Sequence, residues 1–224
     1  ATRVRFRVYD AAWGVSEPFD ADITEAVLVG FGEPCDDMVF CRPEMVCSVG
    51  VCAPSAPIAA MCDGATEIAV AANPLTAVSA STTGTTGAGM GLIGVAGTCA
   101  ADGNPGAGVG AEAAYKIDVA IPNFDLLLTT DLPGTAMMTD TMLYVRSNCA
   151  DSGTVLDCND DIGAMNLHSE LELRDLTAGT YYAFVELYGG LAMGTAAHEI
   201  RVTVRPLIAS GAACDMAGVE NRCR

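Results

Sequence analysis

The chain has 224 residues, with 11 Lys and Arg against 28 Asp and Glu for a net charge of −17; 51% of its residues are apolar and 6% aromatic. The apolar share can fill a core, and at a usual ~150 residues per domain the length allows one large or two small domains. So negative a balance repels phosphate backbones and anionic headgroups, which excludes nucleic acid and membrane surfaces as expected partners, and no stretch reaches the roughly 18 apolar residues of a membrane helix. The chain opens with Ala1 and without a basic-then-apolar leader, so it reads as a processed or excised piece.

Residues 3 to 9, Arg-Val-Arg-Phe-Arg-Val-Tyr, alternate strictly, which predicts a half-buried strand with Val4, Phe6 and Val8 on one face and Arg3, Arg5 and Arg7 on the other. Asp10-Ala-Ala-Trp-Gly14-Val-Ser16 predicts a tight turn, and an extended run around Asp20 to Ile23 completes a hairpin within residues 1–31. The pattern resembles the last hairpin of an immunoglobulin-like or fibronectin-type-III-like bacterial repeat. A lone hairpin is marginal in water, so this one needs a packing partner. Its arginine face could dock on the acidic surface of another copy; the plainer reading is charge protection of an edge.

Ten cysteines, Cys35, Cys41, Cys47, Cys52, Cys62, Cys99, Cys149, Cys158, Cys214 and Cys223, in a chain with a single Lys fit an oxidising, extracellular setting, and disulfides are the favoured reading. A zinc site would need close soft-ligand pairs, yet there is no C-x-x-C, and the two histidines, His168 and His198, lie away from the cysteine cluster. Residues 32–57 combine four cysteines with Pro34, Pro43, Pro54 and Pro57 and few large apolar side chains, so bridges must hold this knot together. Even spacing suggests the interlaced pairing of Cys35 with Cys47 and Cys41 with Cys52, one of three connectivities open to four cysteines.

Residues 65 to 82 predict two strands broken at Asn73-Pro74, and the Gly, Ala and Thr tract from 83 to 110 predicts a long loop. Cys62 and Cys99 flank that stretch; a bridge between them is expected, cutting the closure entropy of a loop of about 36 residues by roughly 3–4 kcal/mol. From Ala113 onward, extended runs recur at Tyr115 to Ile121, Asp125 to Thr130, Thr141 to Arg146, Glu170 to Leu173, Tyr181 to Leu187 and His198 to Arg205, separated by turn residues such as Pro133-Gly134 and Ala178-Gly179. Short strands with frequent turns predict an all-β, antiparallel sandwich.

Four motifs in order carry a resemblance: Thr139-Asp-Thr-Met-Leu-Tyr-Val-Arg-Ser-Asn-Cys149-Ala-Asp151, Leu156-Asp-Cys-Asn-Asp-Asp161, Ser169-Glu-Leu-Glu-Leu, and Leu176-Thr-Ala-Gly-Thr-Tyr-Tyr-Ala-Phe-Val185. Residues 58–206 resemble the bacterial pre-peptidase C-terminal domain, especially its cysteine-bearing versions in secreted myxobacterial-type proteins. The resemblance implies a jelly-roll-like β-sandwich that travels as a non-catalytic accessory module, and a bridged loop from Cys149 to Cys158. The Gly-rich insertion at 83 to 110 departs from the family pattern. In the tail, residues 207–224, Gly211-Ala-Ala-Cys-Asp215 ending in Cys223 parallels Gly32-Glu-Pro-Cys-Asp36 ending in Cys41. Either a second knot begins here, or Cys214 and Cys223 bridge each other; the second is favoured because unpaired thiols seldom persist in secreted proteins.

Candidate chemistry is sparse. Gly89-Met-Gly91-Leu-Ile-Gly94 satisfies G-x-G-x-x-G, but no buried strand precedes it and no helix pattern follows, so it reads as loop. There is no G-x-S-x-G and no H-E-x-x-H, and His168 and His198 are expected as surface histidines at strand ends. The best candidate site is a calcium set of Asp140, Asp151, Asp157, Asn159, Asp160 and Asp161, which offers the hard oxygens Ca²⁺ prefers. It is not an EF-hand, because Gly163 falls one residue late and His168 stands where the last Glu belongs. The alternative is that Asp160 and Asp161 accept turn amides and Asp140 orders the turn before its strand.

Together these readings predict a non-catalytic, disulfide-stapled β module of a secreted bacterial multidomain protein, with a structural or adhesive role in a surface assembly or filament. Its expected partners are other copies of itself, neighbouring modules or an extracellular polymer. The alternative is the accessory, substrate-contacting region of a secreted protease-type hydrolase whose catalytic domain is not among these residues.

Overall fold

The structure is a computed structural model that describes residues 2–6, 19–23, 27–36, 39–41, 45–87, 111–163, 165–188, 195–209, 213–215 and 217–223. At the N-terminal end, β1 (Thr2–Phe6) pairs antiparallel with β2 (Phe19–Ile23). The register sets Arg3 across from Asp22 and Arg5 across from Asp20. Arg7 lies outside the described residues.

The cysteine knot follows. Here β3 (Val27–Val29) runs parallel to β4 (Val39–Cys41), and β5 (Met45–Ser48) pairs antiparallel with β6 (Val51–Pro54). Cys35 is bonded to Cys47 and Cys41 to Cys52, the interlaced order that the spacing suggested. Cys35, Met45 and Cys52 form its small buried centre, so sulfur replaces the missing apolar mass. The β5–β6 turn is Val49-Gly50, both at positive φ, 52° and 79°, as a two-residue type I′ hairpin requires.

A helix that the sequence reading did not anticipate, α1 (Ala56–Asp63), comes next. Pro57 sits in its first turn, where no backbone donor is lost, and the Gly64 amide closes the last turn on Ala60 O. Its side chains are mostly small, with Ile58 and Met61 the large apolar ones. What holds it is Ile58, buried among Tyr144, Phe184 and Ala114.

The remaining strands are β7 (Thr66–Glu67), β8 (Val78–Thr85), β9 (Glu112–Val119), β10 (Phe124–Thr129), β11 (Thr141–Arg146), β12 (Val155–Asn159), β13 (Glu170–Leu176), β14 (Gly179–Leu187), β15 (Ala197–Ile208) and β16 (Arg222–Cys223). They build two facing sheets. One runs β13-β10-β15, with β8 and the two-residue β16 along different stretches of β15; the other runs β12-β11-β14-β9-β7. Apart from the short β7·β9 and β15·β16 pairs, every contact within these sheets is antiparallel. The all-β antiparallel sandwich expected from the strand pattern is the observed fold.

Period-two alternation sorts the side chains. Leu126 and Leu128, Leu143 and Val145, Leu171 and Leu173, Ala183 and Val185, and Ile200, Val202 and Val204 fill the space between the sheets. Part of the other face of the second sheet is buried as well: Met142, Tyr144 and Phe184 pack under α1, while Lys116 and Asp118 on β9 stay open to solvent. Strand β11 is consequently buried at all six positions.

That third layer overturns the expected pairing of Cys62 with Cys99. Because α1 lies across this face, Cys62 meets the loop after β11 and is bonded to Cys149. The Cys149–Cys158 bridge implied by the family resemblance is thereby excluded as well; Cys158, on β12, is engaged in a disulfide of its own. Cys214 and Cys223 bridge each other.

Candidate functional site

Strands β11 and β12 are antiparallel, with Leu143 opposite Asn159, so the residues just before β11 meet those just after β12. Asp140, Asp160 and Asp161 converge there, each offering a carboxylate oxygen within 4.8 Å of the others. One oxygen of Asp140 is buried without a hydrogen-bond partner. Burial, and then the nearby Asp161 charge, raise the Asp140 carboxyl above the usual carboxylate range. The other three residues of the calcium set are placed differently. Asp151 caps a short 3₁₀ turn by accepting from Gly153 N at 2.9 Å, and it also accepts from Phe31 N at 3.4 Å. Asp157 accepts from Cys158 N, and Asn159 accepts from Glu170 N. Half of the sequence-derived set therefore forms a hard-oxygen cluster, against the roughly six to eight ligands Ca²⁺ takes.

Both histidines were expected at the surface, and both are buried, His168 at 5% and His198 at 0% exposure. His168 lies beneath the 131–140 loop, with Nδ1 2.9 Å from Asp131 Oδ1 and Nε2 3.1 Å from Ala136 O. No sequence signal could have found this clamp, since Asp131 and His168 belong to separate loops. His198 was findable: it continues the alternation of Ile200, Val202 and Val204, so it must face the other sheet. There Tyr115 Oη and His198 Nε2 lie 2.5 Å apart, joining β9 to β15 across the sandwich. Burial lowers the His198 pKa and pushes the Tyr115 hydroxyl up to about 12, so both stay neutral and the Tyr115 hydroxyl donates a hydrogen bond to His198 Nε2. Gly84 makes room for the pair, because a Cβ there would fall 1.8 Å from Tyr115 Oη.

A second polar network lies at the far end of the first sheet. Asp125 is fully buried and accepts from Arg205 (2.7 Å), Arg222 (2.7 and 2.9 Å) and the Asp175 amide. Burial would raise its pKa, but the bonds from Arg222, Arg205 and Asp175 N outweigh it and the carboxyl sits below its ordinary value. Arg222 carries the tail, so this carboxylate docks residues 217–223 on the sandwich. Between that network and the loops, the outward face of the first sheet holds a cleft of about 180 Å³ lined by Leu127, Thr129, Glu170, Glu172, Arg201 and Thr203. The G-x-G-x-x-G stretch lies outside the described residues.

No family model matches the chain, and no curated protein matches it. Among solved structures it is similar to the pre-peptidase C-terminal domain of a collagenase from Bacillus anthracis, at 15% identity over 62% of this chain and 93% of that one, with a TM-score of 0.34. It is also similar to PliG of Aeromonas hydrophila, a periplasmic inhibitor of g-type lysozyme, at 12% identity over 62% of this chain and 96% of that one, with a TM-score of 0.37. The fold class stands on the two sheets themselves. The disulfides fit an oxidising compartment, extracellular or periplasmic.

Proposed function

We propose that the chain is a non-catalytic extracellular contact module, in which the sandwich is a rigid support for an exposed polar sheet face. One observation carries this reading: the two sheets treat their outward faces differently. The β11 sheet covers the β11–β14 part of its outer face with α1 and locks the helix with Cys62–Cys149. The β15 sheet leaves Ser79, Ser81, Thr83, Glu170, Glu172 and Arg201 exposed. Membership of the pre-peptidase C-terminal type of module, on the four motifs, belongs to the same proposal. The partners are further copies of the chain, neighbouring modules or an extracellular polymer, and the place is the bacterial surface. Both histidines support a non-catalytic role, since each is bonded as a structural clamp.

A second reading, the accessory region of a secreted protease-type hydrolase, is favoured by the Leu127–Arg201 cleft, whose apolar floor and charged rim suit an extended polymer. Electron microscopy and sedimentation of the protein separate the two. Self-assembly that grows with concentration supports the structural role; a protein that stays monomeric and co-sediments with insoluble protein or polysaccharide supports the accessory role. Hydrolysis by the purified chain that persists after His168→Ala and His198→Ala replacement overturns both.

A further inference from the structure

Among the described residues, the edge strands of the sandwich are not equally guarded. Strand β13 carries Glu170, Glu172, Arg174 and Asp175 and meets its neighbour through a register shift. Strand β12 carries Asp157 and a register shift of its own, and β7 is two residues long. Charges, bulges and shortness are the usual protections of an exposed edge. Strand β8, Val-Ser-Ala-Ser-Thr-Thr-Gly-Thr, has none of them: its eight residues carry no charge, no proline and no bulge against β15. Among the described residues, no strand pairs with its other side.

Its hydrogen-bonding parity follows from one bond. The Thr86 amide donates to Ala196 O, and the ladder continues this register with Thr85 opposite Ala197. Donors toward and away from β15 alternate along a strand. Val78, Ala80, Thr82 and Gly84 therefore spend their backbone groups on β15, while Ser79, Ser81, Thr83 and Thr85 point theirs outward. The 2.7 Å contact between the Ser79 and Thr203 hydroxyls agrees, since side chains approach most closely at the non-hydrogen-bonded pairs.

We propose that β8 is a self-association edge: two copies of the chain join β8 to β8, antiparallel about a twofold axis at Thr82, into one continuous sheet. A twofold at Thr82 sets Ser79 opposite Thr85 and Ser81 opposite Thr83, all four with outward backbone groups, for about eight main-chain bonds. It also aligns charge. Ser81 neighbours Arg201 and Thr83 neighbours Glu199 on β15, so each copy's Arg201 shares a row with the other's Glu199. A twofold at Ser81 would instead put Arg201 in line with Arg201 and make fewer bonds. An uncharged strand is the segment of a −17 chain that a second copy can approach at least electrostatic cost. This names the copy-to-copy surface of the contact module proposed above and rests on that reading.

The test is a charge swap on the exposed side of β8, read by sedimentation velocity against loading concentration, with thermal melting to check folding. Wild type is expected to shift from monomer to dimer as concentration rises. Ser81→Lys with Thr83→Lys puts like charges opposite each other at both crossings and is expected to weaken the dimer about tenfold. Ser81→Lys with Thr83→Glu pairs opposite charges only in the Thr82-centred register and is expected to restore it. A wild type that is monomeric throughout overturns the β8 contact, as does a double-Lys variant that dimerises like wild type. Failure of the Lys–Glu pair to restore association overturns the register. A monomer that still co-sediments with polymer sinks this contact alone, whereas intrinsic hydrolytic activity sinks the module reading and leaves the dimer measurement standing.

Discussion

Val49 is fully exposed and holds φ at 52°, a left-handed conformation that crowds a β-branched side chain. Because Gly50 follows it in a type I′ turn, Val49→Asn gives the preferred Asn-Gly pair without touching another residue. The variant is expected to be more stable by about 1 kcal/mol, read as a higher denaturant midpoint at unchanged slope. His198 supplies a pH-dependent counterpart. Its pKa is lowered from 6.5 in the folded state, so the unfolded chain binds more protons below that value, and stability present above about pH 6.5 is lost as the pH falls through the folded pKa. Asp140 works with the opposite sign, since its raised carboxyl gains stability on protonation. Comparing wild type with His198→Gln isolates the histidine: melting temperature is expected to fall from pH 7 to pH 5 more steeply in wild type. Parallel curves would show that the Tyr115 pair does not sense acid.

Among the elements, α1 is the one whose existence depends most on the rest of the protein. Eight residues are too few to hold a helix alone in water, and only Ile58 is deeply inserted. The disulfide therefore matters. Cys62–Cys149 closes a separation of 87 residues, for which the chain-entropy argument gives roughly 4–5 kcal/mol. Replacing both cysteines by Ala is expected to lower stability by several kcal/mol and to raise hydrogen exchange in α1 before the β11–β14 ladder opens. Uniform exchange through both would mean that the helix is held by packing alone. The same element explains the pairing: Cys99 is closer to Cys62 along the chain, but the helix lying across the sheet brings Cys62 to Cys149 after β11.

For the whole molecule, Asp125 ties the C-terminal segment to the sandwich. Losing its charge removes the buried acceptor that Arg205 and Arg222 share, but leaves Arg205 with Glu172 and Arg222 with Asp175 at the solvent-facing rim, so Asp125→Asn is expected to cost about 1–3 kcal/mol. Because the Asp125 pKa is lowered, wild type should lose this contribution as pH falls below 3.8 toward and through the folded pKa, and the variant should not. Limited proteolysis supplies the structural readout. Asp125→Asn is expected to expose residues 217–223 to cleavage while the paired strands stay protected. Equal cleavage in both proteins would mean that the tail is held by something other than the Arg222 contact.

Much was legible in the sequence where the deciding interaction is local. Extended runs at 141–146, 181–187 and 198–205 marked strands within a few residues of β11, β14 and β15, because β-branched and aromatic residues bounded by turn residues favour the pleated backbone over a few positions, and in β15 one buried face repeats every second residue. The knot pairing was legible for a similar reason, its four cysteines being closely and evenly spaced. Tertiary structure decided the rest. Strand β12 is a strand because β11 offers it an edge, α1 is a helix because the outer sheet face needs cover, and Asp140 meets Asp160 and Asp161 because two antiparallel strand ends coincide. The composition fixed the kind of material, an acidic, cysteine-bridged β protein, since period and residue type act over a few positions. Which cysteine, carboxylate or strand edge meets which depends on how the layers stack, and that is set only when distant segments bury their faces against one another.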